Sequence, residues 1–266
     1  MNAVATVFRS DYSAFLDEVS SAQERLLLLD YDGTLAPFTV HRTRAVPYRR
    51  IPSLIDSLMT ACRTRVVVVT SRAARDIPPL LGVDPHPEIR GSYGLERLLP
   101  DGTYEVGYIP DEGRKALEAA ALWSQKEGWE TSADIKPGAF ALHWRGLPFD
   151  QVEAIRSCAY TALAPLACRG NLLLTEFDGG LELRLRACNK GHAVRSLLAE
   201  SDPGTPVAYL GDDLADEDAF RALLGHGLTV LVRAEFRPTT AQLWLKPPHE
   251  LIQFLTDWVC SCGGVA

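Results

Sequence analysis

The chain has no stretch that could cross a bilayer. Its leucine run, residues 26–29, and its valine run, residues 66–69, are four residues each, against roughly 20 for a spanning helix. No basic segment followed by an apolar core and a small-residue cleavage site opens the sequence, so a cytoplasmic location is expected. Cysteine is sparse: the six residues in 266 stand singly at 62, 158, 168 and 188, with a pair at 260 and 262. That pattern fits neither a disulfide framework nor a zinc site, and reduced thiols are expected. Positive charge is also in deficit. Twenty-seven Lys and Arg against 34 Asp and Glu leave a net charge of −7, the wrong sign for a protein that neutralises nucleic-acid phosphates or anionic lipid. Nucleic acid and membrane are therefore not expected partners. What remains, 47% hydrophobic and 23% charged, is the profile of an ordinary globular protein.

Leu26-Leu-Leu-Leu-Asp30 is an apolar run that ends in a charge, the pattern of a strand buried on both faces of a parallel sheet. Val66-Val-Val-Val-Thr70 repeats it. Between them Ile51, Leu54, Ile55, Leu58, Met59 and Cys62 recur at i, i+3, i+4, i+7, i+8 and i+11, one apolar stripe on a helix that starts near Pro52. Strand, helix, strand is a right-handed βαβ crossover. The C-terminal part alternates in the same way: a helix from Lys190, a strand over 207–210, a helix over 217–224, a strand over 228–232 and a closing helix over 250–259. Tyr12, Phe15, Leu16 and Val19 suit a short helix packed on this domain.

The middle of the chain reads differently. Helices are expected over 112–126 and 150–163, and strands over 130–136, 139–144, 172–177 and 181–185, with turns at Lys136-Pro-Gly138 and Asp178-Gly-Gly180. The fold class is therefore α/β: a Rossmann-like core with a parallel sheet, residues 1–103 and 187–266, plus an inserted α+β domain, 104–186. Ligands of open α/β sheets bind at the carboxyl ends of the strands. Asp30, Thr70 and Asp212 all lie at such ends, and the insert is expected to cover them.

Asp30-Tyr-Asp32-Gly-Thr34 places two carboxylates two residues apart, facing one side, with Gly33 permitting the tight turn. Such a pair repels by about 4 kcal/mol at 4 Å and an effective dielectric near 20. A divalent cation would relieve this. Taken singly, each motif has a plainer reading: a calcium-loop fragment or turn for Asp30-x-Asp32-Gly, a helix N-cap for Asp212-Asp213, a solvated charge for Lys190. They occur, however, in a fixed order: Asp30-Tyr-Asp-Gly-Thr34, an apolar strand ending in Thr70, Lys190 opening a helix, and Gly211-Asp-Asp213 with Asp216 beyond.

This ordered set resembles the haloacid dehalogenase superfamily. Further strings, Leu29-Asp-Tyr-Asp-Gly-Thr-Leu-Ala-Pro37, Gly91-Ser-Tyr-Gly-Leu-Glu96, His143-Trp-Arg145, Glu182-Leu-Arg184 and Gly211-Asp-Asp-Leu-Ala-Asp-Glu-Asp-Ala-Phe220, are similar to the trehalose-6-phosphate phosphatase family across residues 26–224. The resemblance implies an Mg²⁺-dependent enzyme that releases phosphate from trehalose 6-phosphate, the last step of trehalose synthesis, and a monomer is expected. Asp30 would attack phosphorus, Asp32 would serve as acid and then base, and Thr70 and Lys190 would hold the phosphoryl oxygens. Asp30, Asp212 and the carbonyl of Asp32 would bind the metal, with Asp213 and Asp216 behind them. Arg72, Glu96, Lys136, His143, Arg145 and Glu182 would serve the substrate, the last four from the insert. For those four a salt bridge on a solvated sheet face is the plainer alternative, and Trp144 is expected to pack beneath the insert's helices. The chain departs from the family at Thr70-Ser-Arg72 (usually Ser-Gly-Arg), Tyr93 (commonly His), Asp134 (Glu) and Gly179-Gly180 (a Lys in eukaryotic members). Another sugar phosphate, such as sucrose 6-phosphate or glucosylglycerol phosphate, and a non-catalytic sugar-phosphate sensor stay open as alternatives.

Overall fold

In the computed structural model, which describes residues 3–39, 42–177 and 179–264, the chain divides into two compact units: Met1–Glu105 with Asn189–Ala266, and Val106–Cys188. The chain runs through α1 (Ala3–Ser21), β1 (Arg25–Leu29), α2 (Ile51–Thr60), β2 (Thr64–Val69), α3 (Ile77–Leu81), β3 (Glu88–Gly91), β4 (Glu96–Leu98) and β5 (Tyr104–Val106). In the second unit it forms α4 (Asp111–Lys126), β6 (Ala133–Lys136), β7 (Ala139–His143), α5 (Phe149–Gly170), β8 (Leu172–Phe177) and β9 (Gly180–Leu185). It returns to the first unit as α6 (Lys190–Ala199), β10 (Val207–Gly211), α7 (Glu217–Leu223), β11 (Leu228–Val232), β12 (Leu243–Leu245) and α8 (His249–Ser261).

The first unit is built on one sheet with the order β12-β11-β10-β1-β2-β3-β4-β5. Every pair from β12 to β3 is parallel, and β3 and β4 pair antiparallel. Strand side chains alternate between faces, so each apolar run feeds two cores. Leu27, Leu29, Val66 and Val68 join α2 and α8 through Leu54, Ile55, Leu58, Leu251, Phe254 and Trp258. Leu26, Leu28, Val67 and Val69 join α6 and α7 through Val194, Leu197, Phe220 and Leu223. The unbroken Leu and Val runs are thus explained by burial on both faces. Arg25–Leu29 sits centrally, its residues in register with β10 on one side (Leu28 opposite Tyr209) and β2 on the other (Leu28 opposite Val67).

α1 is longer than the short helix expected. Its Phe15 meets the Trp258 ring edge-on at 5.6 Å and its Tyr12 hydroxyl donates to Asp257 Oδ2 at 3.0 Å. β3 has no apolar pattern. Its Glu88 and Arg90 are buried because they pair with each other (2.8 Å), with Arg65 and Arg97, and through the arginines with Glu200. Charged residues satisfied this way can occupy a buried strand, and no periodicity reveals it.

The second unit is an antiparallel sheet, β6-β7-β9-β8, with α4 and α5 packed on it. Two expectations are corrected. Residues 130–132 form a 3₁₀ turn, not strand, with Trp123 and Trp129 edge-to-face at 5.2 Å just before it. The second helix does not stop at Leu163 but continues through Pro165 to Gly170, where Asn171 takes the left-handed conformation (φ 50°). Pro165 removes one helical hydrogen bond, but the buried face Ala159, Leu163, Ala167, Gly170 continues past it, and that packing outweighs the loss. The hairpin at Lys136-Pro-Gly138 turns on Gly138 at φ +71°. In the second expected turn, Asp178 lies outside the described residues. Among the described residues, no helix is long and apolar enough to cross a membrane.

Candidate active site

Three neighbouring strand ends build the site. Asp30 follows β1, and its amide donates to Leu210 O of β10 at 2.9 Å, which ties the two strand ends together. The chain then turns: Leu35 and Ala36 amides donate to Tyr31 O, and Gly33 N to Ala36 O. Gly33 has φ +85°, and a Cβ there would stand 2.3 Å from Asp212 Oδ2. Both facts require glycine. Lys190 enters from the first turn of α6, whose N-cap Asn189 accepts from His192 N at 2.8 Å.

The Lys190 ammonium bridges two carboxylates, Asp30 Oδ1 at 2.5 Å and Asp216 Oδ1 at 2.8 Å. Thr34 Oγ1 donates to Asp30 Oδ2 at 3.3 Å. Asp216 also accepts from the buried Tyr209 hydroxyl at 2.6 Å and from the amides of Asp212 and Asp213, each at 3.0 Å. Oxygens of Asp30, Asp212 and Asp216 lie within 4.8 Å of one another, and all three residues are buried. Asp32 contributes no side-chain oxygen to this group.

Burial pushes the Asp30 carboxyl up to about 7; Lys190 works against the rise, and Asp216 and Asp32 add to it. Burial, then Asp30 and Asp216, hold Asp212 well above the usual carboxylate range. For Lys190 burial acts downward, but the Asp216 and Asp30 carboxylates outweigh it and keep the ammonium charged. Among the described residues neither Asp212 oxygen has a hydrogen-bond partner; an Arg233 nitrogen stands 4.0 Å from Oδ2. Buried carboxylate oxygens without donors are costly. One ammonium among three acidic groups leaves negative charge in excess, and the set is all hard oxygen, the chemistry that suits Mg²⁺. The donor set therefore fits a divalent cation held by Asp30 and Asp212.

Thr70 follows β2 and is 1% exposed; its amide donates to Arg90 O and its hydroxyl oxygen accepts from Arg72 N at 3.2 Å. Asp32 is gripped by Arg72, Nε to Oδ2 and Nη2 to Oδ1, both at 2.6 Å. The expected cleft residue Glu96 is instead 1% exposed: Oε1 accepts from Ser92 Oγ at 2.5 Å, and Oε2 from Tyr104 OH at 2.7 Å and Ala74 N at 3.3 Å. Three internal donors consume the carboxylate, so its place is in the scaffold. Asp213 has an exposed side chain; its carbonyl accepts from Arg237 at 2.7 Å. Sequence reasoning missed Thr34, Tyr209 and Arg237. Thr34 and Tyr209 stand inside or beside the quoted motifs, whereas Arg237 carries no local signal.

In the second unit, strand register puts Asp134, Ala141 and Glu182 in one row across β6, β7 and β9, and Lys136, Ala139 and Arg184 in the next. The alanines of β7 leave room for charged side chains to meet over it. Lys136 Nζ reaches Glu182 Oε1 at 3.0 Å and Asp134 Oδ2 at 3.8 Å, while Arg184 Nε stands 3.6 Å from Glu182 Oε2. Lys136 and Glu182 are 7% and 5% exposed, so their pair is not a solvated one, whereas Asp134 and His143 are half-buried and Arg145 is exposed. His143 lies edge-on to Phe177 at 5.2 Å, and Arg145 packs against Gly179, where a Cβ would come within 2.8 Å of it. Trp144 is buried. The opposite face carries the fully buried Phe140, Leu142, Leu181 and Leu183.

The trehalose-phosphatase family model matches residues 28–246. An uncharacterized glycosyl hydrolase of Mycobacterium tuberculosis is 28% identical over 259 residues, which cover 92% of this chain but 19% of that protein. The trehalose-phosphate phosphatase of Mycobacterium marinum is 28% identical over 240 residues, 86% of this chain and 60% of that one. This chain thus spans only part of the length of these curated relatives. Trehalose-6-phosphate phosphatase of Aspergillus fumigatus superposes with a TM-score of 0.66 at 25% identity, covering 94% of this chain and 98% of the other.

Proposed function

The chain belongs to the trehalose-phosphatase family, and we propose that it hydrolyses trehalose 6-phosphate to trehalose and phosphate through a covalent phosphoaspartate on Asp30. The observation that carries this reading is the buried Asp30–Asp212 pair beside Lys190, with both Asp212 oxygens unsatisfied among the described residues. A bound Mg²⁺, held by Asp30, Asp212 and the Asp32 carbonyl, would supply electrophilic stabilisation of the phosphoryl group.

The protein's own groups do the rest. Lys190 and Thr34 fix the Asp30 carboxylate between them, which orients an oxygen for in-line attack on phosphorus. As the bond from phosphorus to the sugar oxygen breaks, Asp32 gives that oxygen a proton; it then takes a proton from the water that attacks phosphorus and regenerates Asp30. Lys190 and the Thr70 hydroxyl offset charge on the equatorial oxygens. Thr70 is buried and hydrogen-bonded to Arg72 N, which supports a fixed donor there. The second unit acts as the sugar-recognising cap, through Glu182, Lys136, His143 and Arg145. Carboxylate acceptors and cationic donors of this kind suit a neutral polyol.

The test is phosphate release from trehalose 6-phosphate, sucrose 6-phosphate and glucosylglycerol phosphate, each with Mg²⁺ and with chelator. The expected result is preferred turnover of trehalose 6-phosphate that chelator abolishes. Equal turnover of all three would remove the sugar assignment, and chelator-resistant turnover the metal.

A further inference from the structure

Arg72 was expected to serve the substrate, yet its side chain is 4% exposed and its fork is spent on Asp32, whose own side chain is 25% exposed. The guanidinium therefore grips the carboxylate from the buried side and leaves an open side on Asp32. We propose that Arg72 is a positioning residue for the reaction, acting through Asp32 and not by touching the sugar phosphate. This inference rests on the acid/base role proposed above for Asp32.

Three features fix the fork. The Arg72 guanidinium carbon lies 5.7 Å from the centroid of the Tyr31 ring, and that ring is fully buried, with its hydroxyl donating to Ala45 O at 2.7 Å. Arg72 N donates to Thr70 Oγ1. Arg72 O accepts from Ser92 N at 2.7 Å, while Thr70 O accepts from Tyr93 N at 2.9 Å. Those two amides belong to a turn in which Ser92 (φ 47°) and Tyr93 (φ 58°) are both left-handed without being glycine. Such backbone is strained and persists only where surrounding contacts over-determine it. Here the contact is Glu96, which holds the Ser92 hydroxyl. The chain of support runs from Glu96 through the Ser92–Tyr93 turn to the carbonyls at 70 and 72, and from there to the Asp32 carboxylate. A bidentate fork fixes both oxygens of a carboxylate at once, which the point charge of a lysine cannot do.

The deciding experiment is a double-mutant cycle in kcat and KM on trehalose 6-phosphate with Arg72→Lys, Asp32→Asn and the double variant. Misplacing a reacting group by about 1 Å costs around 100-fold, so Arg72→Lys should lower kcat roughly 30- to 100-fold with KM within about threefold. In the Asp32→Asn background the same substitution should cost no more than about twofold, because the group it positions is gone. Should Arg72→Lys fold poorly, Arg72→Ala replaces it, with millimolar guanidinium restoring kcat when Asp32 is present and not when it is Asn. Losses that multiply, or a raised KM at unchanged kcat, would overturn the inference. Wild-type turnover by Asp32→Asn would instead overturn the acid/base role beneath it, and the two failures are told apart by that single arm.

Discussion

At the scale of the residue, the decisive feature is one lysine shared by two buried carboxylates, with a third whose oxygens have no donor among the described residues. Asp30→Asn keeps the shape of the side chain and removes the nucleophile, so the fold should persist and turnover should fall below about a thousandth of wild type. The same residue makes stability depend on pH. Its carboxyl is raised from 3.8 to about 7, so the metal-free native state binds a proton that the unfolded chain releases. The corresponding stability is complete below pH 3.8 and lost as pH rises through 7. Urea titrations of the metal-free protein should show this decline over pH 4–7, and saturating Mg²⁺ should offset it at the upper end by binding the native state alone. Asp212, raised in the same sense, contributes to the same decline, so Asp30→Asn should reduce the slope without abolishing it. An unchanged slope would mean that Asp30 is not a group that titrates.

Between residue and fold stand the elements, and here a second carboxylate carries the opposite sign. Glu217, at the start of α7, accepts from Arg237 Nη1, from Thr239 and Thr240 hydroxyls and from Thr240 N, which pins the loop between β11 and β12 to α7. Burial alone would raise its carboxyl, but those donors depress it from 4.5 to about 2. Its stabilising contribution is present above pH 4.5 and lost as pH falls towards 2. Glu217→Gln leaves the Arg237 charge without its partner and should cost about 2–4 kcal/mol at pH 7, with the difference from wild type shrinking below pH 4. A constant difference down to pH 2 would contradict this. The same elements show what the sequence reveals and why. β1 and β2 are legible because burial on both faces demands their unbroken Leu and Val runs, β10 and β11 because they are apolar but for Gly211 and Thr229, and α2 because its stripe recurs at helical spacing. β3 is not, since its burial is satisfied by ion pairs between residues as distant as Arg65, Arg97 and Glu200. That Asp30, Lys190 and Asp212 come together is legible because each stands at a strand or helix end. The surroundings of Glu96 and Arg72 are not: the acceptor of Arg72 lies 40 residues away at Asp32, and although Ser92 and Tyr104 are near Glu96 in sequence, short-range pattern cannot tell an internally bonded carboxylate from a cleft one.

For the whole molecule, the proposed function divides labour: phosphoryl chemistry would fall to the first unit and sugar recognition to the charged face of the second. That division is testable by comparing substrates. Glu182 is the hub of its face, 3.0 Å from Lys136 and 3.6 Å from Arg184. Glu182→Ala should lower kcat/KM for trehalose 6-phosphate by about 100-fold or more, since removing an acceptor leaves polar partners unpaired. Turnover of a small aryl phosphate, which has no sugar to recognise, should change less than about fivefold by the same reasoning. An equal loss on both substrates would mean that Glu182 serves the unit's stability and not the sugar. The account's central claim is that Asp30 itself carries the phosphoryl group. Single-turnover reaction of the wild-type protein with labelled trehalose 6-phosphate and Mg²⁺, rapidly quenched in acid across the time course and mapped by peptide mass spectrometry, measures this directly. One phosphoryl group on the peptide that contains Asp30, lost on hydroxylamine treatment, is the predicted result; phosphate released with no label on that peptide at any quench time would contradict it.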